Sequence, residues 1–210
     1  MPQLSQAKTL GGIGSILMLL SFAPTVGWIL AIAGGIMVLV AIKYISEIFQ
    51  DNSIFNNMLL ATILGIVGIV VGVAVILGAV LATFGLSNLR NWFSSIPRNV
   101  PGLYSLPAPS GGYVGLIEGA LVGLVVIWVL LIISAIFLRR SYTSMSRKLG
   151  VGMFETTGLI YMIGAALVIV GVGIVLLFVA LVLNIVAFFS IPDQPTPQSV
   201  LQQPTQPPTM

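Results

Sequence analysis

Carboxylates, imidazoles and thiolates carry most acid–base and metal chemistry in proteins, and this sequence is poor in all three. It has five acidic residues, no histidine and no cysteine. The lack of histidine removes the commonest acid–base group and metal ligand. The lack of cysteine excludes disulfides, thiolate metal sites and redox motifs. The acids are scattered along the chain, so the sequence predicts no catalytic residue, no metal site, no cofactor and no enzyme activity.

Glu118 is the acid whose position invites a functional explanation, because it lies inside a long apolar segment. A carboxylate at membrane depth is costly and normally faces the interior of a bundle or water. Arg90 and Arg98 are expected on the same side of the membrane and are its natural partners. Two interpretations stay open: a structural ion pair near the interface, and a carboxylate that binds an ion or a proton.

Asn184 is a second polar side chain in an apolar segment, near the middle of a predicted helix. Its amide needs hydrogen-bond partners there. An interhelical hydrogen bond supplies them and contributes about 0.6 kcal/mol on average. We expect this structural role, and a contact to a substrate or an ion is the alternative.

A basic segment forms the third polar feature, with Arg139 and Arg140 at one end and Arg147 and Lys148 at the other. The residues between them are mostly hydroxylated. Basic residues are enriched in the cytoplasmic loops of membrane proteins, where they anchor the neighbouring helices, and this enrichment explains the composition. Specific binding of anionic lipid headgroups is the alternative.

Small residues recur every four positions on three of the predicted helices. They are Gly68 and Gly72, then Gly115, Gly119 and Gly123, and also Gly27, Ala31 and Gly35. Such stripes let another backbone approach closely. We expect them to pack helices within one bundle, and the alternative is a homo-oligomer or a pore lined by these faces.

Long apolar segments must position all of these residues. Charged residues make up 6% of the chain, against about a quarter in soluble domains. Apolar blocks of 18 or more residues indicate membrane spans, because about 20 helical residues cross a hydrocarbon core of about 30 Å. The sequence predicts an all-α, polytopic transmembrane helical bundle whose partner is the lipid bilayer. Nucleic-acid binding is not expected, because the basic residues form no patch.

The first and last apolar blocks are each too long for one crossing, so we divide both. Pro24 disfavours helix around itself, and a second break is expected at Gly171-Val172-Gly173. The six predicted helices cover residues 9–22, 26–47, 58–84, 113–138, 153–170 and 173–189. A short interfacial helix is expected near 86–96.

These helices form a hairpin over 9–48, two long spans and a second hairpin over 153–189, in a single integral membrane domain over 1–191. Whether the hairpins cross the membrane fully or re-enter it stays open. Residues 192–210 are rich in Pro and Gln and are predicted to form a disordered cytoplasmic tail.

The distribution of basic residues predicts the orientation in the cell membrane. With six helices, one side of the membrane holds only Arg90 and Arg98. The other side holds Lys8, Lys43, Arg139, Arg140, Arg147 and Lys148. Because basic residues are enriched in cytoplasmic loops, both termini are predicted to be cytoplasmic.

A weak internal repeat relates the two hairpins. An offset of 146 residues superposes Gly12 on Gly158, Gly27 on Gly173 and Ala41 on Ala187. Internal repeats are common in transporters. Chance alignment of two apolar, Gly-rich segments is the alternative.

Several short segments resemble one known family. They are LSQAKTLGGIG at 4–14, IKYIS at 42–46, TGLIYMIG at 157–164 and AFFSI at 187–191. These segments are similar to an archaeal family of multispanning membrane proteins known as domain of unknown function 996. The resemblance extends to about Ile191 and implies an archaeal origin and one membrane domain. It implies no activity, so no site residues transfer from it.

Three classes of function compete. We favour an uncharacterised, non-enzymatic structural or assembly component of the membrane, with a homo-oligomer or another membrane protein as an open partner. The alternative is a small transporter or channel for protons, cations or small solutes that uses Glu118 and Asn184. A membrane-embedded enzyme is disfavoured by the lack of catalytic groups.

Overall fold

The computed structural model describes residues 3–23, 25–85 and 113–193, and the regular elements in these ranges are all helical. The six α-helices are α1 (Leu4–Leu20), α2 (Gly27–Ile48), α3 (Asn52–Phe84), α4 (Tyr113–Leu149), α5 (Met153–Leu167) and α6 (Val172–Phe189). A 3-10 turn, Val168–Val170, follows α5. The all-α class and the order of hairpin, two long helices and hairpin are confirmed. The predicted interfacial helix near 86–96 and the tail beyond 193 lie outside the described residues.

Two helices are longer than their apolar segments. Helix α3 begins at Asn52, where the Asp51 side chain accepts hydrogen bonds from the Ser53 backbone N–H at 3.1 Å and from its hydroxyl at 2.6 Å. An aspartate in this position satisfies free N–H groups at the start of a helix. Helix α4 continues to Leu149 and ends at Gly150, whose φ of 70° is left-handed. The predicted helices 58–84 and 113–138 were therefore too short. Their outer ends had been set where the sequence becomes polar, whereas the helices continue to residues that end a helix.

The two hairpin turns fall where the sequence predicted breaks. Helix α1 ends at Leu20 and α2 begins at Gly27, on either side of Pro24. In the second hairpin Gly171 has φ 82° and separates the 3-10 turn from α6. Glycine adopts this left-handed backbone without the steric cost that other residues incur. The turn at Gly171 therefore depends on the missing side chain.

The chain forms two compact units. Unit 1 comprises Met1–Thr62 and Ser134–Met210, and unit 2 comprises Ile63–Ile133. Helices α3 and α4 contribute residues to both, whereas both hairpins belong entirely to unit 1. The single membrane domain over 1–191 stays a prediction.

The core of unit 1 is an aromatic and aliphatic cluster. Phe154 packs edge-to-face against Tyr142 and Phe188, with ring centroids 5.7 and 5.2 Å apart. Gly14 and Gly34 bring the backbones of α1 and α2 together, since a methyl group added to either would overlap the carbonyl oxygen of the other. The remaining buried core residues are aliphatic and come from both hairpins, α3 and α4.

The buried faces of α2 and α6 correspond under the offset of 146 residues. Five buried residues of α2 fall on five buried residues of α6. The pairs are Gly27 and Gly173, Gly34 and Ala180, Val38 and Asn184, Ala41 and Ala187, and Ile42 and Phe188. This match favours the internal repeat over chance. One position differs in chemistry, because the second hairpin has a polar Asn184 where the first has Val38.

The outer faces of the helices are apolar. Trp28 is 67% exposed, Val70 61% and Val114 75%. Among the described residues, five helices are long and apolar enough to cross a membrane, and α1 is a shorter apolar helix.

Candidate functional site

Three buried side chains form a continuous hydrogen-bonded chain across unit 1, called here the polar chain. The Tyr142 hydroxyl donates to Asn184 Oδ1 at 3.0 Å, and Asn184 Nδ2 donates to Ser15 Oγ at 2.9 Å. The Ser15 hydroxyl in turn donates to the Gly11 carbonyl at 2.7 Å. The polar chain therefore links α4, α6 and α1.

Local sequence explains how each member reaches the interior. Ser15 lies one turn after Gly11, where the missing side chain leaves room for the Phe188 ring of α6. Asn184 lies on the buried face of α6. Tyr142 is buried because α4 stays helical past the arginines, which places this residue on the core side.

The sequence analysis missed Ser15 and Tyr142 as members of a site. The signal for Tyr142 is an apolar spacing within the polar segment, where Leu138, Tyr142, Met145 and Leu149 recur as one helical stripe. No comparable signal marks Ser15, because serine beside glycines is common in packed membrane helices.

Two serines of α4 tie it to α3. The Ser134 hydroxyl donates to the Ala61 carbonyl at 2.6 Å, and the Ser141 hydroxyl donates to the Ile54 carbonyl at 2.7 Å. Among the described residues, no buried side-chain nitrogen or oxygen lacks a hydrogen-bond partner. Several of the buried polar side chains of unit 1 thus join helices, while Thr157 bonds the Met153 carbonyl of its own helix.

A small cavity adjoins the polar chain. Its volume is about 90 Å³, and Thr62, Tyr142, Tyr161 and Asn184 contribute polar groups to otherwise apolar walls. A water molecule occupies about 30 Å³ in the liquid. The cavity is therefore large enough to hold a few water molecules.

A larger and more open cavity of about 530 Å³, called here the basic groove, lies on the surface of unit 1. It is lined by Asn57 of α3, by Ile136, Arg139, Arg140, Thr143, Ser144 and Arg147 of α4, and by Glu155 and Met162 of α5. In the described part of the chain the ion pairs lie elsewhere, between Lys8 and Asp193 at 3.2 Å and between Lys43 and Glu47 at 3.8 Å. The arginines of the basic groove have no carboxylate partner there.

The two polar residues singled out in the sequence belong to different units. Glu118 lies on the part of α4 that belongs to unit 2 and is exposed. Asn184 lies in unit 1 and is buried. Arg90 and Arg98 lie outside the described residues, so the ion pair with Glu118 stays a prediction.

Glycines pack α3 against α4 within unit 2. A methyl group added at Gly68, Gly72, Gly119 or Gly123 would meet Leu130, Ile127, Ala79 or Ile76 respectively. Gly115 of the same predicted stripe is exposed. On α2 the predicted stripe holds at Gly27, which is buried against the Ser21 backbone, and is wrong at Gly35: Gly34 makes the close contact to α1, and Gly35 faces open space. The four-residue spacing predicted a packed face but not which neighbouring glycine lies on it.

A family described as protein of unknown function DUF996 matches residues 30–182 of the chain. The chain belongs to this family. The uncharacterized protein MJ1644 of Methanocaldococcus jannaschii is 38% identical over 191 residues, which cover 91% of this chain and 94% of that protein. No solved structure matches the chain. The resemblance to this family seen in the short sequence segments is thereby confirmed.

The DUF996 match covers the two candidate sites unequally. Every residue of the basic groove lies between 30 and 182. In the polar chain only Tyr142 lies in this range, while Ser15 and Asn184 fall outside it.

Proposed function

We propose that this DUF996 protein is an integral membrane protein with a non-enzymatic, structural or assembly role. The membrane location is supported by the exposed apolar side chains on the outer faces of the helices and by α3 and α4, which are long and apolar enough to cross a bilayer. Soluble proteins rarely expose contiguous apolar patches larger than a few hundred Å². Lipid is the solvent that suits such a surface.

The observation that carries the structural role is that, within the described residues, every buried side-chain nitrogen and oxygen has a hydrogen-bond partner. The buried polar residues in the described chain, apart from Tyr142, are serines, Thr157 and Asn184, and none of them is a carboxylate or a base. Transport and proton relay commonly depend on ionisable groups within the membrane. Side chains that bond each other across helices instead fix the register of the bundle.

The packing of the second hairpin against α4 supports a more specific arrangement, in which this hairpin, and by the internal repeat the first one as well, re-enters the membrane without crossing it. Gly158 of α5 packs against Arg139 and Tyr142 of α4, close to where the apolar part of α4 ends. From Gly158 to the turn at Gly171 the chain rises by about 20 Å. A hydrocarbon core is about 30 Å thick, so a turn at this height stops short of the far side. Both termini then lie on the cytoplasmic side, which holds most of the basic residues.

Single-cysteine labelling tests this topology, because the natural chain has no cysteine. Cysteines at Ser144 and at Ser94, the latter outside the described residues, are expected to react from opposite sides of sealed vesicles. A cysteine at Thr25, in the turn of the first hairpin, is expected to be protected from the side on which Ser94 reacts. Labelling of Ser94 and Ser144 from one side would reject the orientation, and reaction of Thr25 together with Ser94 would show that this hairpin crosses.

The functional role is tested by reconstitution and by purification from the native membrane. Purified protein in liposomes is expected to pass protons, cations and small solutes at the rate of empty liposomes. Affinity purification is expected to recover a partner in fixed ratio, or a homo-oligomer. Flux above the empty-liposome background would contradict the structural role.

A small transporter or channel is the second candidate, and the cavity beside Tyr142, Tyr161 and Asn184 is the observation that favours it. If the cavity were part of a path, Asn184→Leu would abolish flux in protein that still folds. If the unsubstituted protein shows no flux, the substitution has no flux to abolish, and the structural role stands.

A further inference from the structure

The basic groove is built on one continuous face of α4. Its six α4 residues, from Ile136 to Arg147, follow helical spacings of three and four residues. Residues at these spacings share one side of a helix. Asn57 of α3 and Met162 of α5 form the flanking walls. Three guanidinium groups therefore converge on one concave surface within unit 1.

Nothing in the described part of the chain neutralises these guanidinium groups by an ion pair. Arg139 Nη1 lies 3.5 Å from the thioether sulfur of Met162, and the Arg140 guanidinium lies 5.6 Å from the centre of the Phe137 ring. Glu155 lines the groove but lies within 4 Å of no basic nitrogen among the described residues. Three positive charges and one negative charge leave a net attraction for an external anion. Thr143, Ser144 and Asn57 add neutral hydrogen-bond donors beside them.

The walls of the groove differ along its length. Ile136 and Met162 are apolar, and Ile136 belongs to the apolar part of α4 that precedes the arginines. Arg147 lies eleven residues further along α4, about 16 Å at 1.5 Å per residue. An anion attached to a hydrocarbon chain matches this gradient better than a free anion, because the hydrocarbon chain covers the apolar end of the groove.

We propose that the basic groove binds the phosphate of an anionic membrane phospholipid, with Arg139, Arg140 and Arg147 as its charged ligands. Arginine suits this task because its planar fork of N–H donors matches phosphate oxygens. Basic pockets between helices at the cytoplasmic surface are known to hold anionic headgroups. The inference rests on the membrane location proposed above.

A matched pair of substitutions separates a specific site from general attraction to an anionic surface. Arg147 lines the groove, whereas its neighbour Lys148 does not, and both side chains are exposed. Arg147→Gln and Lys148→Gln remove the same charge from the same turn of α4. Neither is expected to disturb folding, unlike substitution of the partly buried Arg139.

The experiment measures binding of single lipid molecules to the full chain in neutral detergent by native mass spectrometry. The probes are short-chain phosphatidylglycerol, short-chain phosphatidylcholine and inorganic phosphate. We expect phosphatidylglycerol to bind tightest, Arg147→Gln to weaken it about tenfold and Lys148→Gln to change it by less than about twofold. Glu155→Gln is expected to tighten binding, because it removes the one negative charge in the groove.

Three results would overturn the proposal. Equal losses in Arg147→Gln and Lys148→Gln would show diffuse charge attraction. Inorganic phosphate binding as tightly as phosphatidylglycerol would assign the groove to a soluble ligand. Phosphatidylcholine binding as tightly as phosphatidylglycerol would show that the anionic charge is not recognised. Because binding is measured in detergent, these results are independent of the cysteine labelling that tests the membrane location.

Discussion

Units 1 and 2 are held together by different chemistry. In unit 1 a pair of glycines in each hairpin brings backbones into contact, an aromatic cluster fills the core, and a chain of buried polar groups crosses three helices. In unit 2 methyl groups added to the glycines of α3 and α4 would first meet side chains, mostly aliphatic, and the tightest backbone contact is between Gly123 and the Gly72 carbonyl oxygen at 3.0 Å. Within the described residues of unit 2, no polar side chain is buried.

This difference shows where the molecule fixes its register. Contacts between glycines and aliphatic side chains tolerate small shifts, because side chains have alternative rotamers. A buried hydrogen bond tolerates little displacement of the helices, since its loss leaves polar groups unpaired in an apolar interior. Unit 1 is therefore the part in which single substitutions have the largest effects, and it also contains the basic groove.

The largest effect is expected from Gly34→Ala. The added methyl group would press on the Gly14 carbonyl oxygen and on Met18, and a backbone carbonyl has no other rotamer to adopt. We expect a loss of about 2–3 kcal/mol in the free energy of unfolding, the upper part of the range for overpacking. Thermal unfolding in detergent measures it.

Gly35→Ala is the matched control, because a methyl group there meets nothing within 4 Å. It is expected to leave stability unchanged or to raise it slightly, since alanine favours helix. Equal losses in the two variants would mean that α1 and α2 do not meet at Gly34.

A smaller effect is expected from Gly72→Ala in unit 2. The methyl group would overlap the Ile127 side chain, which moves more readily than a backbone, and would lie 3.2 Å from the Gly123 carbonyl oxygen, farther than the 2.5 Å between Gly34 and the Gly14 carbonyl oxygen. We expect a loss of about 1–2 kcal/mol by the same measurement. Gly78→Ala is the control, since its site is open. A loss in Gly72→Ala that exceeds the loss in Gly34→Ala would reverse the proposed ranking of the two units.

Tyr142→Phe tests the polar chain. It removes the hydroxyl that donates to Asn184 Oδ1 and keeps the ring that packs on Phe154. We expect a loss of about 1 kcal/mol, within the range measured for hydrogen bonds between membrane helices. Tyr161→Phe, which lines the same cavity without a side-chain hydrogen bond among the described residues, is expected to cost less.

A double-mutant cycle sharpens this test. Tyr142→Phe and Asn184→Leu are expected to be non-additive, because each variant already removes the bond between the two side chains. Additive losses would show that Tyr142 and Asn184 contribute through packing alone.

The architecture could be predicted from the sequence because its signals are local. Block length, Pro24 and the glycines around Gly171 set the helix order without knowledge of any partner. The details that failed depend on partners. Gly34 and Gly35 are indistinguishable by type, and only the position of α1 decides which of them is packed.

The candidate sites depend on partners in the same way. The position of Asn184 in an apolar helix predicts a hydrogen bond between helices, but not that Tyr142 and Ser15 provide it. The arginines were visible in the sequence, yet their convergence required α4 to remain helical to Leu149. The polar composition after residue 138 had instead predicted that the helix ends there.

A slight effect on stability is expected from Glu118→Gln, and this variant decides between the two proposed functions. Glu118 is exposed in unit 2, and among the described residues it forms no ion pair. If it pairs with Arg90 or Arg98, thermal stability falls slightly, substitution of that arginine by Gln costs a similar amount, and the double variant is non-additive. We expect this outcome, together with liposomes that show no flux before or after the change.

If Glu118 instead binds a transported ion, removing its charge leaves stability unchanged or raises it, because an isolated charge at membrane depth is unfavourable. If Glu118→Gln leaves stability unchanged and abolishes a flux, Glu118 in unit 2 takes part in transport, and the transporter is favoured.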